Sequence, residues 1–199
     1  MHAPIYAARN RALAQQSVAH LRPNEDVLDV GCGLGSLGRA IRDNPHCPAN
    51  VSVRGLERSK RRHAMIPIDE YDGGPIPYRD NLFDVVILAD VLHHEDEPHQ
   101  LIRECKRLSR RLLVIKDHKL EGTLAQFRIS LMDWAANKPY GVRCLYKYNT
   151  LSEWHQWHKE HDLKLAYELI SMRLYPSLVN LLFGQSLQYF AVLSVGHQK

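Results

Sequence analysis

Residues 27–38, VLDVGCGLGSLG, constrain the fold more than any other stretch of the chain. A short apolar run, VLDV (27–30), passes directly into spaced glycines. A helical stretch, SLGRAIRD (36–43), follows, with Ser36 as its N-cap. Glycine lets the backbone turn tightly and approach a ligand that a Cβ would hold off. The first turn of the next helix offers N–H groups without an intrahelical partner. Strand, glycine turn and helix in this order open a parallel α/β sheet that takes a nucleotide-like ligand at its carboxyl edge.

The same rhythm continues. VSVRGLE (51–57), MIPI (65–68), FDVVILAD (83–90) and RLLVIKD (111–117) read as further strands. The fourth is continuously apolar, as a strand covered on both faces must be. PIPYRDN (75–81) is a turn, and DEPHQLIRECKRLS (96–109) is a helix. Alternation from 27 to 117 implies right-handed crossovers with helices on both faces. Ahead of it, 5–21 reads as a helix with Ile5, Leu13, Val18 and Leu21 on its apolar side, stopped by Pro23 and Asn24. Beyond 118 the pattern changes. Residues 121–136 read as a helix and 138–150 as a loop. A helix over 151–162 is opened by Thr150 or Ser152, and strands at 163–175 and 187–195 are joined by a short connection. The expected fold is an α/β three-layer sandwich on a seven-stranded, mostly parallel sheet with an antiparallel C-terminal strand. No repeat or linker divides 1–199, so one domain is expected. Within it, 1–22 is an N-terminal helix and 119–150 an insertion that builds an acceptor site.

The glycines admit two ligand classes. GLGSLG (33–38) matches the dinucleotide pattern GxGxxG, which alone is weak. Asp29 stands two residues before Gly31, where a carboxylate would repel a pyrophosphate and suit a cationic amino group. The register that starts at the strand end is Gly31-x-Gly33-x-Gly35, an open turn fitted to an amino acid and a ribose rather than to phosphates.

VLDVGCGLG resembles the first motif of the class I S-adenosylmethionine-dependent methyltransferases, which have a Rossmann-like fold. Further matches extend the resemblance through most of the chain. Glu57 ends the second strand, as does the acidic residue that binds the ribose hydroxyls in that family. Asp72, followed by Gly73, matches the acidic position that contacts adenine. IPYRDNLFDVVILADVLHHEDEP (76–98) is similar to the stretch whose end lines the methionine half of the cofactor, here Ala89, Asp90 and Leu92. The resemblance is nearest to a bacterial small-molecule branch, through ADVLHH (89–94), IKDH (115–118), MDWAAN (132–137) and LYKYN (145–149). It implies S-adenosylmethionine as cofactor, held by Asp29, Gly31, Cys32, Gly33, Gly35, Glu57, Asp72, Gly73, Ala89, Asp90 and Leu92. Two departures bear on the adenine pocket. The segment between Glu57 and Met65 is short and basic, leaving room for about two helical turns at most. LSRR stands before the fifth strand in place of a proline-glycine turn.

Methyl transfer is an in-line displacement, so alignment of the acceptor is the main requirement. A hydroxyl or amine acceptor also needs its proton taken. His94 follows the fourth strand and His118 the fifth, at the end of the sheet where such folds place their chemistry. Both are candidate bases, oriented by Asp90 or Asp117, and both are equally readable as loop or capping histidines. Tyr140, Tyr146 and Tyr148 are candidate acceptor contacts. Phe127 and Trp134 read at least as well as core. Tyr6 and Arg9 are placed to fold over the cofactor. His155, His158 and His161 share a helix, and His93, His94 and His99 cluster with Glu95. Neither set has a recognised ligand pattern, and no metal is expected.

Composition excludes several classes. Four cysteines at 32, 47, 105 and 144 form no paired CxxC spacing, which removes zinc-ribbon and thioredoxin-like readings and fits a reducing compartment. The N-terminus lacks the apolar core of a secretory signal, and no apolar run approaches the ~20 residues of a membrane span. A cytoplasmic protein is expected. A net charge of +4 is mild, so a nucleic-acid partner is not expected. The reading is therefore methyl transfer to an O or N atom of a small-molecule acceptor. The rivals are an RNA or protein methyltransferase, resting on RSKRR (58–62) and a pI near 8.9, and an inactive cofactor-binding regulatory subunit.

Overall fold

The computed structural model describes residues 3–59, 62–137, 144–175, 180 and 184–196. Seven strands form one sheet: β1 (Asp26–Val30), β2 (Ser52–Glu57), β3 (Ile68–Glu70), β4 (Phe83–Ala89), β5 (Ser109–His118), β6 (Leu163–Leu169) and β7 (Gln188–Val195). Their order is β3-β2-β1-β4-β5-β7-β6. The first five run parallel, and β7 is antiparallel to both β5 and β6. The expected seven-stranded, mostly parallel sheet with an antiparallel C-terminal strand is therefore present.

Side chains alternate across the pleat, and each strand feeds two cores. Leu28, Val30, Leu56, Val86, Leu88, Leu113 and Ile115 face one layer, which is covered by α3 (Pro98–Leu108) and α5 (Leu151–Glu160). Val27, Val53, Val85, Ile87 and Val114 face the other, which is covered by α1 (Ala3–Val18) and α2 (Ser36–Arg42). Burial of both faces explains the continuous apolar run in β4. A smaller cluster under α4 (Ala125–Asn137) joins Ala125 and Ile129 to Tyr148 and Leu187.

Three expectations shift. MIPI was expected to be the third strand, but pairing begins at Ile68, where Gly55 faces it in register. Ile66 is instead spent on packing against the glycine turn. The strand expected over 163–175 ends at Leu169, and the chain from Ser171 runs outside the sheet, so the connection to β7 is not short. Among the described residues between Glu57 and Met65 there is no helix. The opening of α5 resolves to Thr150, which forms a capping box with Glu153. No helix among the described residues is long and apolar enough to cross a membrane.

Candidate active site

The strand order reverses between β1 and β4, and the crevice outside their carboxyl ends is where such sheets bind ligands. The glycine turn lies there. Gly31, Gly33 and Gly35 all have positive φ. Two of the three are required by the protein itself. A Cβ on Gly31 would lie 2.6 Å from Val91 Cγ2, and one on Gly35 would collide with Ile66. Gly33, at φ +59°, has nothing within 4 Å of where its Cβ would be, so it faces open space. The turn is pinned by hydrogen bonds from the Gly31 and Cys32 N–H groups to the Leu56 carbonyl, at 2.8 and 3.4 Å. The Cys32 thiol tucks over Gly55 in β2, where a Cβ would strike it.

Two carboxylates flank this turn. Glu57 Oε2 accepts the Gly33 N–H at 2.7 Å and Oε1 accepts the Arg58 N–H at 2.9 Å. A carboxylate has about four lone-pair sites, so capacity for two hydroxyl donors remains. Asp29 is 2% exposed, and its Oδ2 has no hydrogen-bond partner among the described residues. Burial pushes its pKa up to about 7, against the pull of Arg9 and a Gly38 N–H.

Past Glu57, Arg58 reaches across to Glu95 at 2.6 Å. Below this pair is a cleft of about 180 Å³ lined by Tyr71, Gly73, Gly74 and Ile76. Asp72 stands at its lip, exposed, with Oδ1 accepting the Gly74 N–H at 2.9 Å. Gly73, at φ +90°, lies under the Arg58 guanidinium.

Across the crevice, β4 ends in Ala89 and Asp90. Asp90 adopts φ +58° and is held by Lys116 of β5 and Arg9 of α1, with the His118 imidazole 4.0 Å away. Burial opposes its charge, but Lys116 and Arg9 prevail and hold the carboxyl well below its ordinary range. Asp90 is therefore a half-buried ion-pair hub, and its carboxylate already has two cationic partners.

The next residues form a 3-10 turn, Leu92–His94. Leu92 packs into the core, while His93 and His94 enter a polar cluster. His93 Nδ1 lies 2.6 Å from Asp117 Oδ1, and its Nε2 lies 3.6 Å from Asp133 Oδ1. His94 Nε2 lies 3.6 Å from the same Asp133 oxygen. The Tyr148 hydroxyl donates to Asp133 Oδ2 at 2.9 Å. Burial opposes charge on His93, but Asp117 and Asp133 overcome it and raise its pKa to about 10. His118, buried beside Lys116, is pushed the other way, to about 3, and is neutral. Its Nδ1 has no partner among the described residues.

The sequence candidates thus divide. His94, His118, Tyr148, Asp90 and Asp117 are brought to one end of the sheet. Tyr146 is exposed, in a left-handed backbone conformation one turn of chain away from Tyr148. Tyr140 lies outside the described residues. Phe127 and Trp134, which read as core, are 64% and 45% exposed on α4. Arg9 does reach the crevice. The helix histidines separate: His155 meets Glu168 at 2.7 Å, His158 meets Tyr189 at 3.4 Å, and His161 meets His99 at 2.9 Å. Sequence reasoning missed the pairing of His93 with Asp117 and Asp133. The HH dipeptide after β4 and the IKDH and MDWAAN segments each held a member, but nothing joined them, because Asp133 comes from a helix about forty residues further on.

Residues 28–112 match the family described as a methyltransferase domain. Over those residues the chain resembles the class I methyltransferases. Over 94% of its length it superposes on 92% of a SAM-dependent methyltransferase of Aquifex aeolicus, with a TM-score of 0.62 and 15% identity, a likeness of fold. It is 24% identical over 146 residues to the ubiquinone/menaquinone biosynthesis C-methyltransferase of Cupriavidus pinatubonensis, covering 65% of this chain and 60% of that protein. It is 28% identical over 118 residues to the sarcosine/dimethylglycine N-methyltransferase of Halorhodospira halochloris, covering 54% of this chain and 42% of that one. The chain therefore spans 60% or less of the length of these two curated relatives. S-adenosylmethionine is the cofactor of the class, and the residues present fit it. The buried, unpartnered Asp29 oxygen suits an ammonium group, the Gly33 face is open, and Glu57 has spare acceptor capacity.

Proposed function

We propose that this methyltransferase transfers a methyl group from S-adenosylmethionine to an O or N atom of a small-molecule acceptor. The observation that carries the reading is the adjacency of two features. The glycine turn, with Asp29 and Glu57, abuts through Gly31 and Val91 the turn that carries His93 and His94. When bound, the cofactor supplies an electrophilic methyl group on a sulfonium.

The chain's own residues do the rest. Asp29 and Glu57 hold the ammonium and ribose ends, with Gly31, Cys32, Gly33 and Gly35 giving the turn its shape. Asp72 and Gly73 border the adenine cleft, and Ala89, Asp90 and Leu92 form the floor under the methionine end. His94, partly exposed over Asp133, is the better-placed base, since an imidazole over a carboxylate can accept an acceptor proton and keep it. His118 is neutral and ready to accept a proton, but it is buried, so it serves an acceptor that reaches into the cluster. Tyr148 orients Asp133, and with Tyr146 and α4 it borders the acceptor side. The names of curated relatives, which include N- and O-methyltransferases, support a small acceptor.

Calorimetric titration with S-adenosylmethionine and S-adenosylhomocysteine tests the first half. Micromolar binding that Asp29→Ala and Glu57→Ala each weaken at least tenfold is the expected result. No binding to the natural protein overturns the reading. The product complex then serves to screen hydroxyl and amine acceptors, with His94→Ala lowering kcat more than it raises KM.

A further inference from the structure

Three side chains converge at the carboxyl ends of β4 and β5 in a way the methyl-transfer reading does not require. His93, His94 and Asp133 each offer one ligand atom, and these atoms all lie within 4.8 Å of one another. Both histidines present Nε2 to the same Asp133 oxygen at 3.6 Å. With bonds of about 2.0–2.2 Å, ligand atoms around one ion stand about 3–3.5 Å apart, so the two histidine–carboxylate separations already nearly suit an ion and the histidine pair closes on it with about an ångström of movement at most.

The surroundings are built as an outer shell is built. A ligating histidine commonly has its other ring nitrogen held by a carboxylate, which fixes the tautomer and the ring plane. Here His93 Nδ1 is held by Asp117 Oδ1 at 2.6 Å, deep in the protein. A ligating carboxylate is in turn hydrogen-bonded, and Asp133 Oδ2 accepts from Tyr148 at 2.9 Å. Asp117 is itself fixed, since its Oδ1 also accepts the His118 N–H at 2.7 Å. Two buried carboxylates around one imidazole are arranged for positive charge, and an ion supplies it as well as a proton does.

We propose that His93, His94 and Asp133 bind a divalent transition ion of the zinc class. Two imidazoles and one carboxylate suit such ions better than magnesium or calcium, which prefer oxygen ligands. Three protein ligands leave a position open, as catalytic rather than structural ions do. His94 is the ligand nearest solvent, at 16% side-chain exposure, against 4% for His93 and 1% for Asp133, so the open position faces outward past His94. That position takes an oxygen or nitrogen donor, and an ion on His94 Nε2 takes that nitrogen out of service as a base, so in the ion-bound protein the base is the neutral His118. Its use to hold the methyl acceptor rests on the proposed function, whereas ion binding does not.

The test uses the full chain, stripped with a chelator and titrated with Zn²⁺ by calorimetry and with Co²⁺ by visible absorption. One ion per chain and Co²⁺ bands of low-symmetry coordination are expected. His94→Ala and Asp133→Asn abolish both signals, and Asp117→Asn weakens binding about 10–100-fold through His93. S-adenosylhomocysteine binding by each variant reports that the fold is intact, and His94→Gln replaces any variant that fails that check. The part-buried pair His99 and His161, 2.9 Å apart, is the competing chelate. Loss of the ion in His99→Ala, or Co²⁺ bands unchanged by His94→Ala and Asp133→Asn, overturns the proposal. So does the absence of stoichiometric binding. An ion bound without any affinity for S-adenosylhomocysteine leaves the site standing and sinks the methyltransferase reading instead.

Discussion

Asp29 sits in β1 with its carboxyl sealed from water and one oxygen unpartnered among the described residues, and burial lifts its pKa to about 7. In the unfolded chain the same group loses its proton near pH 4. Between those values the folded protein keeps a proton that the unfolded chain has released, so stability falls as pH rises and the loss is complete above pH 7. A shift of about 3 units corresponds to at most about 4 kcal/mol. Asp29→Asn is therefore expected to stabilise the ligand-free protein at pH 8 by up to that amount and to change little at pH 4. It also weakens cofactor binding. Urea unfolding at both pH values checks this, and equal destabilisation at the two would refute it. The glycines separate in the same way. Gly33→Ala meets no atom, so it costs about 1–2 kcal/mol for the left-handed backbone and acts mainly on cofactor affinity. Gly31→Ala also drives into Val91, and thermal melts should rank it well below Gly33→Ala. The importance of Asp29 was legible from its place before Gly31, but its burial was not, because spacing along the chain carries no information on what lies above it.

Besides the packing of Leu13, Ala14 and Val18, α1 reaches the sheet through Arg9, which meets Asp90 at the end of β4, while Lys116 reaches the same carboxylate from β5. Removing Arg9 leaves Asp90 one cation, whereas removing the Asp90 charge leaves the buried Lys116 facing the half-buried Arg9. Asp90→Asn is thus expected to cost about 3–5 kcal/mol, and Arg9→Met distinctly less. Chemical denaturation of the two variants measures the order, and a larger loss for Arg9→Met would contradict the hub. Elements of this kind were readable when their pattern was local. The glycine turn, β4 and the Thr150 cap each announce themselves within a dozen residues. β3 was misplaced by about three residues because MIPI is apolar for a reason other than pairing: Ile66 backs the glycine turn and only Ile68 enters the sheet. The His93, Asp117 and Asp133 grouping was out of reach, since it joins the ends of two strands to a later helix. Phe127 and Trp134, readable from the sequence as core or as acceptor contacts, are exposed on α4 together with Leu131, and spacing could not decide between those readings because it shows which residues share a face and not whether anything covers it.

For the molecule as a whole, acid acts through opposed groups. His158 is buried beside Tyr189, and burial lowers its pKa to about 4. Below pH 6.5 the unfolded chain takes up a proton there that the folded protein refuses, so stability is lost as pH falls from 6.5 to 4, by up to about 3 kcal/mol. Asp29 has the opposite sign over nearly the same range and offsets part of this loss, to which His118, lowered to about 3, adds. The cofactor changes the share that Asp29 carries. An ammonium group at Asp29 favours the ionised carboxylate, so binding at low pH must first expel a proton, while binding at pH 8 need not. At a ligand concentration of 100 Kd, stabilisation is about 2.7 kcal/mol, and it shrinks as Kd rises. At a fixed S-adenosylhomocysteine concentration, the Tm gain is therefore expected to be larger at pH 8 than at pH 5. Asp29→Asn should flatten that difference while lowering the gain at pH 8. Differential scanning fluorimetry across the range decides it. A natural protein whose Tm gain is the same at pH 5 and pH 8 would show that Asp29 does not sense the ligand, and would move the ammonium contact elsewhere in the crevice.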